Sequence, residues 1–252
     1  MSEIYPTQSR KRHSIQCKLR CDNPYEMTRY DMNRFDMNRI DMTRIWDLPT
    51  RLFHWLLAAA ATVSLYTGLS DGGDMDLHLV SGYVVLSLLL FRLAWGVWGA
   101  TYARFAQFAA SPAAAWRYLR SFRAAPEWPG HNPLASWAIF ALLVALVAQV
   151  STGLFSNDEI LTEGPLRHLV SDDTSSTLSG LHKTNSFVVL SLIVVHLLGV
   201  ATHLIARRER LLRAMITGDK AVDAPATRYS RLLAIAFAVV GVIATYAVVR
   251  WL

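Results

Sequence analysis

Histidines recur at His182, His196 and His203 along an otherwise apolar stretch, LHKTNSFVVLSLIVVHLLGVATH, that covers residues 181–203. On a helix turning 100° per residue, the fourteen residues between His182 and His196 return the side chain to within about 40° of the same face and carry it ~21 Å along the axis. The run from 187 to 206 is long enough to cross a bilayer, so at least one imidazole sits at a depth where an unpartnered polar group is costly. Imidazole is a strong ligand for transition metals. Two imidazoles on one face at two depths point to a pair of b-type haems.

The elements that must position them can be read from the distribution of apolar residues. Hydrophobic types make up 53% of the 252 residues and charged types only 17%, too apolar a balance for an ordinary soluble domain. The apolar residues cluster into five runs, 52–69, 77–98, 133–154, 187–206 and 232–249, each near the length of a spanning helix. The expected fold is an all-α, polytopic transmembrane helical bundle. The last run, without histidine, follows as a C-terminal transmembrane helix.

The net charge of +6 could suggest nucleic acid, but its distribution follows membrane topology instead. Arg104, Arg117, Arg120 and Arg123 fall in one connection, and 207–231 carries seven Lys or Arg. In contrast, 70–76 has three Asp and no basic residue, and 155–183 has five acidic residues against two basic ones. The positive-inside rule places the N-terminus in the cytoplasm and the C-terminus outside, with five crossings. No nucleic-acid partner is expected, and lipid contact is.

Residues 1–44 are basic and irregular and contain a five-residue repeat, MTRYD, MNRFD, MNRID and then MTRIW. The period fits neither a helix face nor a strand, so the segment is expected to be a disordered or wrongly included extension, with Met27, Met32, Met37 and Met42 as alternative starts. Cys17 and Cys21 lie in it and lack the C-x-x-C-H spacing of covalent haem attachment. The expected divisions are this extension, a membrane domain over 45–220, and a linker with the last helix over 221–252.

Topology sorts the histidines by depth. His54 stands near the cytoplasmic start of the first helix and His78 near the outer start of the second, while His182 is outer and His196 further inward. Two cross-helix pairs can be drawn, His78 with His182 and His54 with His196, each offering an iron two imidazoles, an arrangement suited to electron transfer. Counting depth from the flanking arginines instead pairs His54 with His203, and both inner pairings stand at this point. Gly82, one turn from His78, would let a flat macrocycle approach the backbone. Arg92, fourteen residues beyond His78 on the same face, calls for an anion such as a haem propionate or else snorkels to the headgroups. His131 reads as a cap or interface residue, and Gln149 as the one strongly polar side chain in a packing helix. The segment 102–123, alternating aromatics with arginines, reads as an amphipathic helical stretch on the cytoplasmic interface. The acidic loop 156–180 reads as solvated, with proton acceptance or docking of a basic partner as its alternative roles.

Residues 44–220 also resemble the bacterial cytochrome b561 and nickel-iron hydrogenase b-type cytochrome family. The resemblance is carried, in order, by WDLPTRLFHW (46–55), HLVSGY (78–83), FRLAWG (91–96) followed by YARF (102–105), GHNPL (130–134), TGLFSNDEI (152–160), the two histidines fourteen residues apart, and MITGDK (215–220). It implies a four-helix core with two haems b whose axial ligands are His54, His78, His182 and His196, leaving His203 as a bystander or propionate neighbour. It also implies transmembrane electron transfer between the quinone pool and a redox partner: a soluble cytochrome c, or a dehydrogenase, hydrogenase or reductase subunit. A stand-alone haem oxidoreductase, such as a superoxide:quinone oxidoreductase, is the alternative. A non-redox proton-coupled transporter is the third reading and leaves the paired histidines unexplained.

Overall fold

The computed structural model describes residues 42–70, 72–158 and 162–251. The repeat, both cysteines and the rest of the extension through residue 41 lie outside the described residues. The described chain is helical apart from one two-stranded ribbon, so the all-α expectation holds.

Five helices are long and apolar enough to cross a membrane. The first, α1 (Leu48–Leu69), starts where Asp47 accepts a hydrogen bond from the Thr50 amide at 2.8 Å, with proline in its first turn. Asp74 caps α2 (Met75–Trp98) through the Leu77 amide in the same way. The segment expected to be one amphipathic stretch is broken into a 3-10 turn (Thr101–Ala103), α3 (Phe105–Phe108) and α4 (Pro112–Arg120). Proline at the start of α4, capped by Ser111, separates the last two. Asn132 caps α5 (Pro133–Gly153).

The fourth spanning helix, α6 (Asp172–Ala206), begins fifteen residues before the apolar run that announces it. Ser171 caps it and Asp172 and Asp173 fill its first turn, where the helix dipole favours negative charge. Acidic residues read as loop are therefore the start of a helix, and the loop shrinks to 155–171. After α6 come α7 (Leu211–Thr217), a two-stranded antiparallel ribbon of β1 (Met42–Arg44) with β2 (Asp219–Ala221), and α8 (Arg231–Trp251). Gly218, at φ 90°, makes the turn between α7 and β2. Its carbonyl accepts from the amides of Ile45 and Trp46 at 2.9 and 3.0 Å. A Cβ there would stand 2.7 Å from the Trp46 carbonyl oxygen, so glycine is required twice over. With Trp55 Nε1 donating to Met215 O at 3.3 Å and Arg51 to Ile216 O, the IWD and MITGDK motifs form one clasp at the start of α1.

Inside the bundle, Ala60, Val85, Leu89, Leu143, Ala145, Leu146 and Val189 pack together from α1, α2, α5 and α6. A second cluster, including Phe53, Phe91 and Trp95, receives Ala234 of α8. The outward faces carry large apolar side chains, Ile205 and Leu232 at about four-fifths exposure among them. An apolar exterior of this extent belongs against lipid.

Candidate functional site

The histidines meet across the bundle in two places. The His78 and His182 rings, from α2 and α6, lie 6.0 Å apart between centroids at 84°. At the other end His54 of α1 and His196 of α6 lie 6.4 Å apart at 51°. Two imidazoles on opposite sides of one metal, each with a metal–nitrogen bond of about 2 Å, have centroids about 6 Å apart. Both pairs have that spacing.

The outer pair is held by a local pattern that occurs twice. His78 Nδ1 lies 3.0 Å from Ser64 O and 3.3 Å from Thr67 Oγ1. His182 Nδ1 lies 2.9 Å from Gln149 O and 3.3 Å from Thr152 Oγ1. A carbonyl only accepts, so each Nδ1 carries the proton and each Nε2 keeps the lone pair that a metal needs. One residue beyond each threonine is a glycine, Gly68 or Gly153. A Cβ on either would come within 2.8 Å of the Cε1 of the adjacent histidine. The reading of the sequence missed Ser64, Thr67, Gly68, Thr152 and Gly153; the signal available was the repeated TGL at 67–69 and 152–154. Gln149, read as a packing residue, donates to the His182 carbonyl at 3.1 Å, and its Nε2 stands 3.2 Å from His182 Nε2. A metal at that nitrogen requires the amide to turn aside.

Around this pair is a cavity of about 650 Å³, within the range of cofactor sites. Gly68, Gly82 and Gly153 are in its wall, and a Cβ at Gly82 would meet nothing within 4 Å. The open wall beside Gly82 suits a flat ligand. Among the described residues no group of three or more His, Cys, Asp or Glu could hold a bare metal ion. Paired imidazoles beside a large cavity fit a metal whose remaining ligands come with it, as in a porphyrin.

The inner pair is supported differently. His54 packs edge-on to Trp55 at 4.9 Å, and its Nδ1 is sealed from solvent without a hydrogen-bond partner. Arg92 is 4% exposed, donates to Ala103 O at 3.1 Å, and lies 4.7 Å over the Phe105 ring. Its guanidinium is enclosed by protein and does not reach the headgroups, and none of the described ion pairs includes it. The nearby Asp47 carboxylate already accepts from Thr50 N, Thr50 Oγ1 and Trp95 Nε1. An acidic group brought in by a ligand would satisfy Arg92.

His203, the depth-counting competitor, is engaged elsewhere. Its Nδ1 meets Glu209 at 3.2 Å and its Nε2 meets Asn132 at 3.4 Å, with Phe122 edge-on at 5.0 Å. Burial favours the neutral Glu209 carboxyl, but the Arg207 hydrogen bond at 2.7 Å, with Lys220 and His203 nearby, holds it below the usual range. This cluster ties the end of α6 to the start of α5.

Fold and site together define a multi-pass helical membrane protein with paired histidines fitted to a ring-chelated metal. The family described as prokaryotic cytochrome b561 matches residues 45–218, more than two thirds of the chain, and the chain belongs to it. Membership makes it a membrane electron carrier of the haem b type and bears out the resemblance seen in the motifs. No curated protein and no solved structure matches the chain.

Proposed function

We propose that the chain holds two haems b, one between His78 and His182 and one between His54 and His196, and passes single electrons across the membrane between a quinone and a redox partner protein. The observation that carries this reading is the recurrence of one ring spacing, 6.0 and 6.4 Å, at two levels of the same helix. His182 and His196 stand fourteen residues apart on α6, a rise of ~21 Å, so the two positions span much of the bilayer core. Bound haem supplies a one-electron iron couple at each position.

The chain's own residues orient and insulate. Ser64 and Gln149 carbonyls fix the Nδ1 protons of the outer histidines, and Gly68, Gly82 and Gly153 keep the backbone clear of the ring plane. Arg92 neutralises a propionate at the inner position, and the aliphatic cluster between the two positions excludes water. The basic connections 104–123 and 207–231 support a cytoplasmic His54–His196 end, with the C-terminus periplasmic. Residues 45–220 form the cytochrome domain, and α8 braces it.

The test is electron transfer in proteoliposomes that enclose ferricyanide. Added quinol should reduce the haem bands, and the trapped acceptor should then bleach faster than in protein-free vesicles. Haem bands that quinol leaves oxidised would exclude the quinone-linked reading.

A further inference from the structure

His131 precedes the Asn132 cap of α5 and is not one of the paired histidines. Its ring lies between Trp46, at 4.7 Å, and Phe108, at 4.5 Å, and its Nδ1 is sealed from solvent with no hydrogen-bond partner. A buried polar atom without a partner is costly and rare, and its usual explanation is a missing group. Burial, together with Arg92, His196 and Lys220, pushes the His131 pKa down to about 3. The neutral ring keeps one N–H, on either Nδ1 or Nε2.

Ring contacts lead from it toward the inner pair: Phe108 lies 6.0 Å from Phe105, the Arg92 guanidinium stands 4.7 Å over Phe105, and the same guanidinium lies 5.9 Å from the ring of Phe53, the chain neighbour of His54. Donors are in surplus there. Arg92 has five N–H groups and its one described hydrogen bond goes to Ala103 O. Lys220 donates to Trp128 O at 2.5 Å, and the carboxylates of Asp47 and Glu209 are already occupied by other donors. Among the described residues His131 Nδ1 has no hydrogen-bond partner and Arg92 is in no ion pair, so an anionic acceptor placed between them would engage both.

We infer that His131 binds the inner haem through its propionate, its Nδ1–H donating to the carboxylate that Arg92 neutralises, and so sets the potential of that haem. The inference rests on the haem placement proposed above. A hydrogen bond to the propionate withdraws negative charge from the macrocycle and stabilises the ferrous state; losing it lowers the midpoint potential.

The experiment is a redox-titrated visible spectrum of the purified full-length protein with haem-to-protein stoichiometry, for the wild type, His131→Phe and His131→Asn. The inner haem is identified as the transition lost in His196→Ala. His131→Phe keeps the aromatic packing and removes the donor, so the inner potential should fall while the outer one stays. His131→Asn returns an N–H near the Nδ1 position and should recover most of the shift. If His131→Phe does not retain two haems, His131→Leu takes its place. An unmoved inner potential, or equal shifts in both haems, overturns the role of His131. A wild type with fewer than two haems overturns the haem placement instead.

Discussion

A histidine in a membrane helix says little alone; its second nitrogen says more. His78 and His182 each have Nδ1 committed to a carbonyl on the neighbouring helix, which frees Nε2 and fixes the ring plane. The glycine following each threonine is needed because a Cβ at Gly68 or Gly153 would meet the ring at 2.8 Å. Gly68→Ala and Gly153→Ala should therefore each displace a ligand ring and lower the haem content toward half. Alanine is the better helix former by about 1 kcal/mol, so circular dichroism should show an undiminished helix content alongside the loss. Full haem occupancy in both variants would remove the steric argument. The histidines were legible in the sequence because they stand alone in apolar runs. Their supporting carbonyls were not, because backbone acceptors leave no residue type to read, and TGL shows its meaning only when two helices bring it to the same kind of ring.

At the scale of elements, the spans were legible from apolar length and their starts were not. Helix α6 gains its first fifteen residues from a capping serine and two acids that suit a helix N-terminus as well as an exposed loop. Depth counting has a related weakness. Arg207, used as a marker for the end of the span, turns back to the Phe122 and Ala125 carbonyls and to Glu209. His203 is thereby drawn into that cluster, and His196 faces His54. Helix α8 docks on α2 through Ser87 and Thr245, 2.8 Å apart, at a point where Gly241 allows close approach. A Cβ at Gly241 would lie 2.8 Å from the Ser87 carbonyl oxygen. Gly241→Leu should force the helices apart and cost about 1–3 kcal/mol, the usual range for overpacking. It should appear as a lower thermal midpoint in detergent with haem stoichiometry unchanged, since α8 carries none of the paired histidines. Loss of haem in that variant would mean that α8 takes part in the cofactor sites.

Over the whole molecule, one long helix contributes a histidine to each end of the bundle, and α1 and α2 contribute the opposing ones. That division follows from antiparallel helices whose histidines each stand near a start: His54 on one side of the membrane and His78 on the other. The central claim is that these four residues hold two haems and that His203 holds none. It is tested most directly by the haem-to-protein ratio of the purified protein beside His196→Ala and His203→Ala. The account predicts about two haems in the wild type and in His203→Ala, and about one in His196→Ala. Loss of a haem through His203→Ala, with His196→Ala intact, would contradict it.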